Sequence, residues 1–289
     1  MFEGTYTALV TPFKNGEVDY ESLANLIERQ ISGNVQGVVP AGCTGEAATL
    51  TAEEQLKVIE FTVDQVKGRI QVIAGTGSNS TKEATLMTEK ANAYDIQGVL
   101  VITPYYNKPT SSGIIKHYSQ VADASKSPVM VYNVPGRTGT KITPETIAEL
   151  ARHPNINSVK EACGSVDQVS EILANSDITV LSGDDPLTIP MISIGAKGVV
   201  SVSSNIAPGE VSAAVKCALS GDFTAAKEAH LQLLKFHKSL FVETNPIPVK
   251  AVLSELGLIE NELRLPLEVA TESTKKVARS LIEDFKLRA

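Results

Sequence analysis

Residues 71–102 read QVIAGTGSNSTKEATLMTEKANAYDIQGVLVI, a short apolar run, a helical segment and a second apolar run. The two runs, Gln71–Ala74 and Gly98–Ile102, are short and rich in β-branched residues, as strands buried on both faces are. Lys82–Tyr94, between them, has the length and composition of a helix. A strand, a helix and a second strand in this order predict a parallel sheet covered by helices.

The same alternation extends over most of the chain, from the first residues to about Asn205. Other helical segments include Tyr20–Ser32, Ala52–Val66 and Pro144–Ala151, with apolar residues at three- and four-residue spacing. The eight candidate strands are Tyr6–Val10, Gly37–Pro40, Gln71–Ala74, Gly98–Ile102, Val129–Asn133, Asn157–Lys160, Ile178–Leu181 and Gly198–Val202.

Local signals mark where several helices begin and end. Thr51 and Glu54 have the spacing of a capping box at a helix N-terminus. Gly37, Gly98 and Gly198 each follow a helical segment and precede an apolar run. We expect each of these glycines at the position just past a helix, where glycine is favoured.

Eight such units favour closure into an α/β fold of the (β/α)₈ TIM-barrel type. A doubly wound open sheet is the alternative, but it usually has a Gly-rich loop after its first strand, where this chain has Thr11-Pro12-Phe13-Lys14. After about Pro208 the pattern is helical only. We therefore predict a catalytic barrel over residues 1–220 and a C-terminal helical region over residues 221–289. The helices expected there and just before are Gly209–Ser220, Asp222–Phe241, Pro248–Leu256 and Leu267–Leu287.

Composition limits the classes of function. The chain has 289 residues, 43% of them hydrophobic and 20% charged, and a formal net charge of −7. Without a basic block, nucleic acid and anionic membranes are not expected partners, whereas a small acidic substrate is compatible with a local positive site. The three cysteines are widely spaced and the start of the chain lacks a signal-peptide pattern, so we expect a cytoplasmic protein without a structural metal.

Polar residues gather where the predicted strands end, which in a TIM barrel is where the active site lies. These segments are Gly42–Glu46, Thr103–Asn107, Tyr132–Gly139, Val159–Glu161 and Gly183–Asp185.

Lys160 is the most informative of these residues, because a lysine is seldom buried without a partner. One interpretation is a lysine that reaches solvent or pairs with the neighbouring Glu161. The other is an amine that forms an imine with a carbonyl substrate. That role requires its pKa to fall by about 3 from about 10.4, at a cost of about 4 kcal/mol, which burial can supply.

Tyr132, Tyr106 and Arg137 also have two interpretations each. The tyrosines could be core aromatic residues with satisfied hydroxyl groups, or phenols that transfer protons while an imine forms and loses water. Arg137 could form a surface ion pair, or it could bind a substrate carboxylate through two parallel hydrogen bonds.

Taken together, these motifs resemble the 4-hydroxy-tetrahydrodipicolinate (dihydrodipicolinate) synthases of the pyruvate-dependent aldolase and N-acetylneuraminate lyase superfamily. The similarity runs essentially from end to end, and this family has a barrel with a C-terminal helical region. The segments that carry it are Gly42–Glu46, Thr103–Asn107, Tyr132–Gly139, Lys160–Ala162, Leu181–Asp185 and Asn245–Lys250.

The resemblance implies condensation of pyruvate with L-aspartate-4-semialdehyde, the first committed step of diaminopimelate and lysine biosynthesis. Lys160 would then form the Schiff base with pyruvate, and Tyr132 would relay protons. Thr44 would bind the pyruvate carboxylate, and Arg137 that of the semialdehyde. Tyr106 would reach the site of a second protomer across a tight dimer interface. The substrate-binding set implied by the resemblance also includes Gly183 and Val200.

Such enzymes are commonly homotetramers, built as a dimer of tight dimers, and need no metal or organic cofactor. In relatives inhibited by lysine, the effector binds at the dimer interface. Asn79, Glu83 and Tyr105 match that site, whereas Ala52 and Gln55 stand where some sensitive relatives have histidines. A lysine-binding allosteric site is therefore a hypothesis.

Cys43 departs from the family pattern, which has two consecutive threonines in this loop, the first linking the two tyrosines. A thiol is a weaker hydrogen-bond donor than a hydroxyl, but it can still pass a proton. Cys43 is thus expected to act in the relay. The alternative in another class is a pyruvate-binding protein whose relay Cys43 disables.

Two further alternatives concern the substrate. N-acetylneuraminate lyases and 2-keto-3-deoxy-sugar-acid lyases share the lysine and the tyrosine, but they generally lack an arginine at the position of Arg137. A phosphate-binding barrel would rest only on Gly183 and the segment Gly195–Gly198.

Overall fold

Eight parallel strands close into a barrel in the computed structural model of the protein, which describes residues 2–288. Each strand pairs with its neighbours in the chain, and the last strand pairs with the first. The strands are β1 Gly4–Ala8, β2 Gly37–Val39, β3 Gln71–Gly75, β4 Gly98–Ile102, β5 Val129–Asn133, β6 Ile156–Glu161, β7 Thr179–Ser182 and β8 Gly198–Ser201. The predicted TIM barrel is confirmed.

Helices follow the strands and cover the outside of the barrel. They are α1 Tyr20–Ser32, α2 Ala52–Val66, α3 Thr81–Ala91, α4 Ser111–Ala124, α5 Pro144–Leu150, α6 Val166–Asn175, α7 Thr188–Ser193 and α8 Pro208–Leu219. A short antiparallel pair, Phe13–Lys14 with Glu17–Val18, lies between β1 and α1. The capping box is present at α2: Glu54 N–H donates to Thr51 Oγ1 at 3.2 Å, and Thr51 N–H donates to Glu54 Oε2 at 2.8 Å.

Three helices form the end of the chain: α9 Phe223–Ser239, α10 Ile247–Glu255 and α11 Glu272–Phe285. The predicted start of the last helix at Leu267 is wrong. Thr271 caps this helix through its side chain, and Pro266 and Leu267 instead line a cavity. Phe236 and Leu253 belong to the same apolar cluster as residues of the barrel, so the domain boundary at residue 220 stays a prediction.

The sequence led us to expect Gly37, Gly98 and Gly198 just past helices, and this prediction is wrong. Each is the first residue of a strand. A Cβ atom at Gly37 would lie 2.6 Å from the Gln71 carbonyl oxygen, and one at Gly198 would overlap the Gly4 carbonyl oxygen. These glycines therefore allow close contacts at the N-terminal end of the barrel.

The barrel has an inner and an outer apolar layer, because strand side chains alternate between its two faces. The inner layer includes Leu100, Leu181 and Val200. The outer layer, between strands and helices, includes Val159. Lys160 is paired in register with Tyr132 on one side and Leu181 on the other, so its side chain lies on the inner face.

One further result concerns membranes. Within residues 2–288, no helix has both the length and the apolar character required to span a bilayer.

Candidate active site

A cavity of about 610 Å³ opens at the C-terminal end of the barrel. The loops after β2, β3, β4 and β5 form most of its wall, and residues between α9 and α11 close one side. Several predicted site residues line it, together with one that the sequence did not single out: Cys43, Glu83, Tyr105, Tyr132, Arg137 and Asn245.

Lys160 lies on the inner face of β6, beneath this cavity. Its Nζ is 4.2 Å from the centre of the Tyr132 ring, and only 5% of the residue is exposed. Gly183 lies against it, since a Cβ atom at that position would be 3.1 Å from Lys160 Cε. Burial lowers the pKa of Lys160 from its usual value to about 8, although Cys43 and the nearby aspartates oppose the shift. A substantial fraction of the amine is therefore neutral near physiological pH.

The ion pair between Lys160 and Glu161 considered above does not form. Glu161 points away from the barrel interior, where its carboxylate accepts hydrogen bonds from Asn133 Nδ2 at 2.9 Å and Gln168 Nε2 at 3.0 Å. Within residues 2–288, no carboxylate lies within 4.0 Å of Lys160 Nζ. Lys160 is thus buried without a counter-ion in contact, which is the condition that lowers the pKa of an amine.

Tyr132 is a neighbour of both Lys160 and Cys43. Its backbone is fixed by Thr103, whose hydroxyl donates to the Tyr132 carbonyl oxygen at 2.7 Å. Burial raises the pKa of the Tyr132 phenol well above its usual value, and the adjacent Cys43 thiol raises it further. The phenol is therefore protonated at neutral pH and can donate a proton to a neighbouring group. Cys43 is half-buried on the cavity wall.

Asn245 joins two residues that were assigned to carboxylate binding. Its Nδ2 donates to Thr44 Oγ1 at 2.9 Å, and its backbone oxygen accepts from Arg137 Nη2 at 2.8 Å. Because Thr44 Oγ1 accepts this hydrogen bond, its own proton is free to point to another acceptor, such as a carboxylate. Sequence reasoning recognised the segment that begins with Asn245 but gave this residue no role.

Other predicted residues lie farther from this group. Tyr106 is 88% exposed and has a left-handed backbone conformation, with φ of 73°, so its side chain lies outside the cavity of its own chain. Val200 is fully buried within the inner apolar layer. Glu83 and Tyr105 line the outer part of the cavity, and the Asn79 carbonyl oxygen accepts a hydrogen bond from Asn107 at 2.9 Å.

A closed barrel with a buried lysine at the C-terminal end of its strands is compatible with the class of TIM-barrel lyases. The chain belongs to the dihydrodipicolinate synthetase family, whose model matches residues 1–284.

Individual relatives agree with this assignment over nearly the whole chain. The 4-hydroxy-tetrahydrodipicolinate synthase of Geotalea uraniireducens is 50% identical over 289 residues, covering 99% of this chain and 100% of its own. The crystal structure of dihydrodipicolinate synthase from Aquifex aeolicus has a TM-score of 0.97 at 46% identity, with 99% of each chain covered. The Acinetobacter baumannii enzyme, a chloride-inhibited form complexed with pyruvate, has a TM-score of 0.97 at 40% identity, covering 99% of this chain and 100% of its own.

Proposed function

We propose that this protein is a 4-hydroxy-tetrahydrodipicolinate synthase, which condenses pyruvate with L-aspartate-4-semialdehyde in diaminopimelate and lysine biosynthesis. Lys160 carries the proposal. It is buried without an ion-pair partner among residues 2–288, has a pKa of about 8, and lies 4.2 Å from the ring of a protonated tyrosine. Family membership supports the same reaction.

The first chemical step is attack of the neutral Lys160 amine on the pyruvate ketone carbon. The carbinolamine formed then loses its hydroxyl group as water and becomes an imine, which requires one proton to be delivered to the leaving oxygen. Tyr132 is placed to supply that proton. The Tyr132 phenolate then takes a proton from the pyruvyl methyl group, which gives an enamine. The methylene carbon of the enamine adds to the aldehyde carbon of the second substrate, and the aldehyde oxygen takes the proton from Tyr132 and becomes a hydroxyl group.

Proton transfer would run through a chain of three groups in the proposed mechanism. Tyr132 exchanges protons with the substrate, and Cys43 links it to a second tyrosine. Tyr106 is the second tyrosine, contributed by another protomer, which fits its 88% exposure on its own chain. The thiol takes the place of a hydroxyl in this chain of groups.

Substrate carboxylates would be held by two separate groups. Thr44, whose hydroxyl proton is directed away from Asn245, binds the pyruvate carboxylate. Arg137, anchored on the Asn245 backbone, binds the carboxylate of the semialdehyde. Gly183 leaves room beside the Lys160 side chain, and Val200 forms part of the apolar floor.

The proposal includes a homotetramer, assembled as a dimer of tight dimers, that functions in the cytoplasm. In the proposed mechanism the oligomer matters for the chemistry, because Tyr106, which is exposed on its own chain, acts in the site of a partner. Leu86, which is also exposed, lies on α3 near the same cavity and would be covered in such an assembly.

Lysine is proposed as an inhibitor that binds at Glu83 and Tyr105, which line the outer part of the cavity, and at Asn79. The Glu83 carboxylate, which accepts a hydrogen bond from Ser78 Oγ at 2.9 Å, can also accept one from an ammonium group. Initial rates that stay constant as lysine is raised to millimolar concentration would rule out this site.

Trapping with borohydride tests the reaction. Wild-type protein incubated with pyruvate and reduced should gain the mass of a reduced pyruvyl adduct, and peptide mapping should place it on Lys160. Lys160→Ala should show no adduct and no turnover. A folded wild-type protein without an adduct would overturn the proposed function. In a separate assay without borohydride, consumption of L-aspartate-4-semialdehyde together with pyruvate would distinguish this function from that of the sugar-acid lyases.

A further inference from the structure

The loop that carries Cys43 and Thr44 is held in an unusual backbone conformation at both ends. Ala41 has a φ of 55° and Glu46 a φ of 54°, both in the left-handed region that residues other than glycine seldom adopt. Such conformations persist only where surrounding contacts impose them. The geometry of this loop therefore depends on interactions made by its neighbours.

A buried ion pair holds the end of this loop, together with hydrogen bonds that Arg264 N–H donates to Glu46 Oε2 at 3.3 Å and Thr11 Oγ1 donates to the Gly45 carbonyl oxygen at 2.7 Å. Lys250 Nζ lies 2.6 Å from Glu46 Oε1, and the two side chains are 0% and 1% exposed. The same Nζ donates to the Thr11 carbonyl oxygen at 3.0 Å and lies 4.3 Å from the centre of the Phe13 ring. Lys250 comes from α10, so a helix far away in the chain fixes the loop after β2.

A second contact comes from the same C-terminal segment. Asn245 lies five residues before Lys250, and its amide holds Thr44 Oγ1. The segment thus contacts the loop at Thr44 and at Glu46, one residue to either side of Gly45. A displaced Glu46 would move both the Thr44 hydroxyl and the Cys43 thiol relative to Tyr132.

We infer that Glu46 and Lys250 are positioning residues, whose ion pair sets the place of Thr44 and Cys43 for pyruvate binding and proton transfer. This inference rests on the proposed function of the same cavity. The simpler view is that the pair only stabilises the fold. The two views predict different results when both charges are removed together. An apolar pair of similar volume often restores the stability lost with one partner, so a pair that only stabilises the fold would leave pyruvate binding unchanged.

The test compares Glu46→Met/Lys250→Met with the wild-type protein by borohydride trapping at increasing pyruvate concentration, and by steady-state rates with both substrates. We expect the half-saturating pyruvate concentration to rise at least about tenfold and turnover to fall by up to about a hundredfold, as for misplaced reacting groups. Thermal unfolding of each variant at equal protein concentration reports stability separately.

Leu150→Ala is the matched control for a purely structural effect. Leu150 is buried in the outer apolar layer on α5, away from the loop, so its truncation lowers stability without moving Thr44. Half-saturation by pyruvate should stay within about twofold of wild type in this control.

Each outcome distinguishes the inference from the proposed function. A folded double variant with wild-type half-saturation and turnover would overturn the positioning role, with the function intact. A wild-type protein that forms no adduct would overturn the function itself. Should the double variant fail to fold, Glu46→Asp keeps the charge but shortens the side chain. In that variant, unchanged pyruvate binding would refute the positioning role equally, and weaker binding with near-native stability would support it.

Discussion

At the scale of single residues, Lys160 is an ionisable side chain in a place that disfavours its charged form. Burial at 5% exposure favours the neutral amine, and within residues 2–288 no ion pair compensates a positive charge there. A protein under selection for stability alone would place an apolar residue at this position. The lysine is retained, in the proposed mechanism, because a neutral amine is a nucleophile.

The pH dependence of imine formation follows from this pKa. Lys160 titrates near pH 8, below the value of about 10.4 for a free lysine, so the neutral fraction rises with pH and levels off above 8. We expect the rate of borohydride-trapped adduct formation at low pyruvate to increase about tenfold per pH unit between pH 6 and 7. Rates measured from pH 6 to 10 check this, and a rise that continues past pH 9 would mean that burial does not lower the pKa.

Substitutions of Cys43 test the proton relay at a single side chain. Replacing it by alanine removes the group next to the Tyr132 phenol, so turnover should fall by about a hundredfold or more. Cys43→Thr restores a hydroxyl, and its turnover should stay within about tenfold of wild type. Steady-state rates with both substrates measure the effect.

The matched control for this change is Cys163→Ala. Cys163 follows β6 and is next to Glu161 on the outer side of the barrel, so its loss should leave turnover unchanged. If Cys43→Thr instead created activity in a protein that had almost none, the wild-type chain would be a pyruvate-binding protein with a disabled relay.

Sequence could identify the residues at strand ends but not the contacts between distant segments. Lys160 and Tyr132 stood out because each is a polar residue within an apolar strand, and strand ends meet at one face of a barrel. Asn245 and Lys250 lie in the C-terminal helical region, for which no comparable rule predicts where a side chain will lie. Their contacts with Thr44 and Glu46 span about 200 residues, and only the folded chain brings these groups together.

At the scale of elements, the sequence located the limits of the strands to within about two residues. It located the limits of the helices with a less uniform accuracy. The strands are short apolar runs bounded by turns, which gives them clear limits. The last helix was placed five residues too early, because Leu267 and the residues after it are compatible with a helix but Thr271 caps it. The glycines that begin strands were misassigned because their role depends on neighbouring strands.

Gly198→Ala tests that role. A Cβ atom at the start of β8 would overlap the backbone of Gly4 on β1, where the barrel closes. We expect a loss of about 1–3 kcal/mol in the free energy of unfolding, since a packed backbone cannot move apart without loss of its hydrogen bonds and the φ of 150° at Gly198 is unfavourable for alanine. Urea unfolding at fixed protein concentration measures it.

The control is Gly209→Ala on α8. Among residues 2–288, and apart from its chain neighbours and its own helix backbone, no atom lies within 4 Å of a Cβ placed there. The residue is also helical, so alanine should be neutral or stabilise by up to about 1 kcal/mol. Equal destabilisation by both changes would show that the close approach of β1 and β8 is not the reason for glycine.

At the scale of the whole molecule, the number of strand and helix units was enough to predict the closed barrel. Assembly is a different matter, because it depends on which surfaces are covered by another copy. Tyr106 connects the fold with the assembly, since it is 88% exposed on its own chain but follows Tyr105, which lines the cavity. In the proposed mechanism a partner would complete the site with this residue.

Complementation between two inactive variants tests whether Tyr106 acts in another protomer. Lys160→Ala lacks the amine, and Tyr106→Phe lacks the second phenol, so each homo-oligomer should be strongly impaired. In a tight dimer with one chain of each kind, one site has an intact Lys160 and an intact Tyr106 from its neighbour. Heterodimers purified through two different tags should therefore have roughly half the activity of wild type. If Tyr106 served its own chain, no site in the mixed dimer would be complete and activity would remain at the level of the parents.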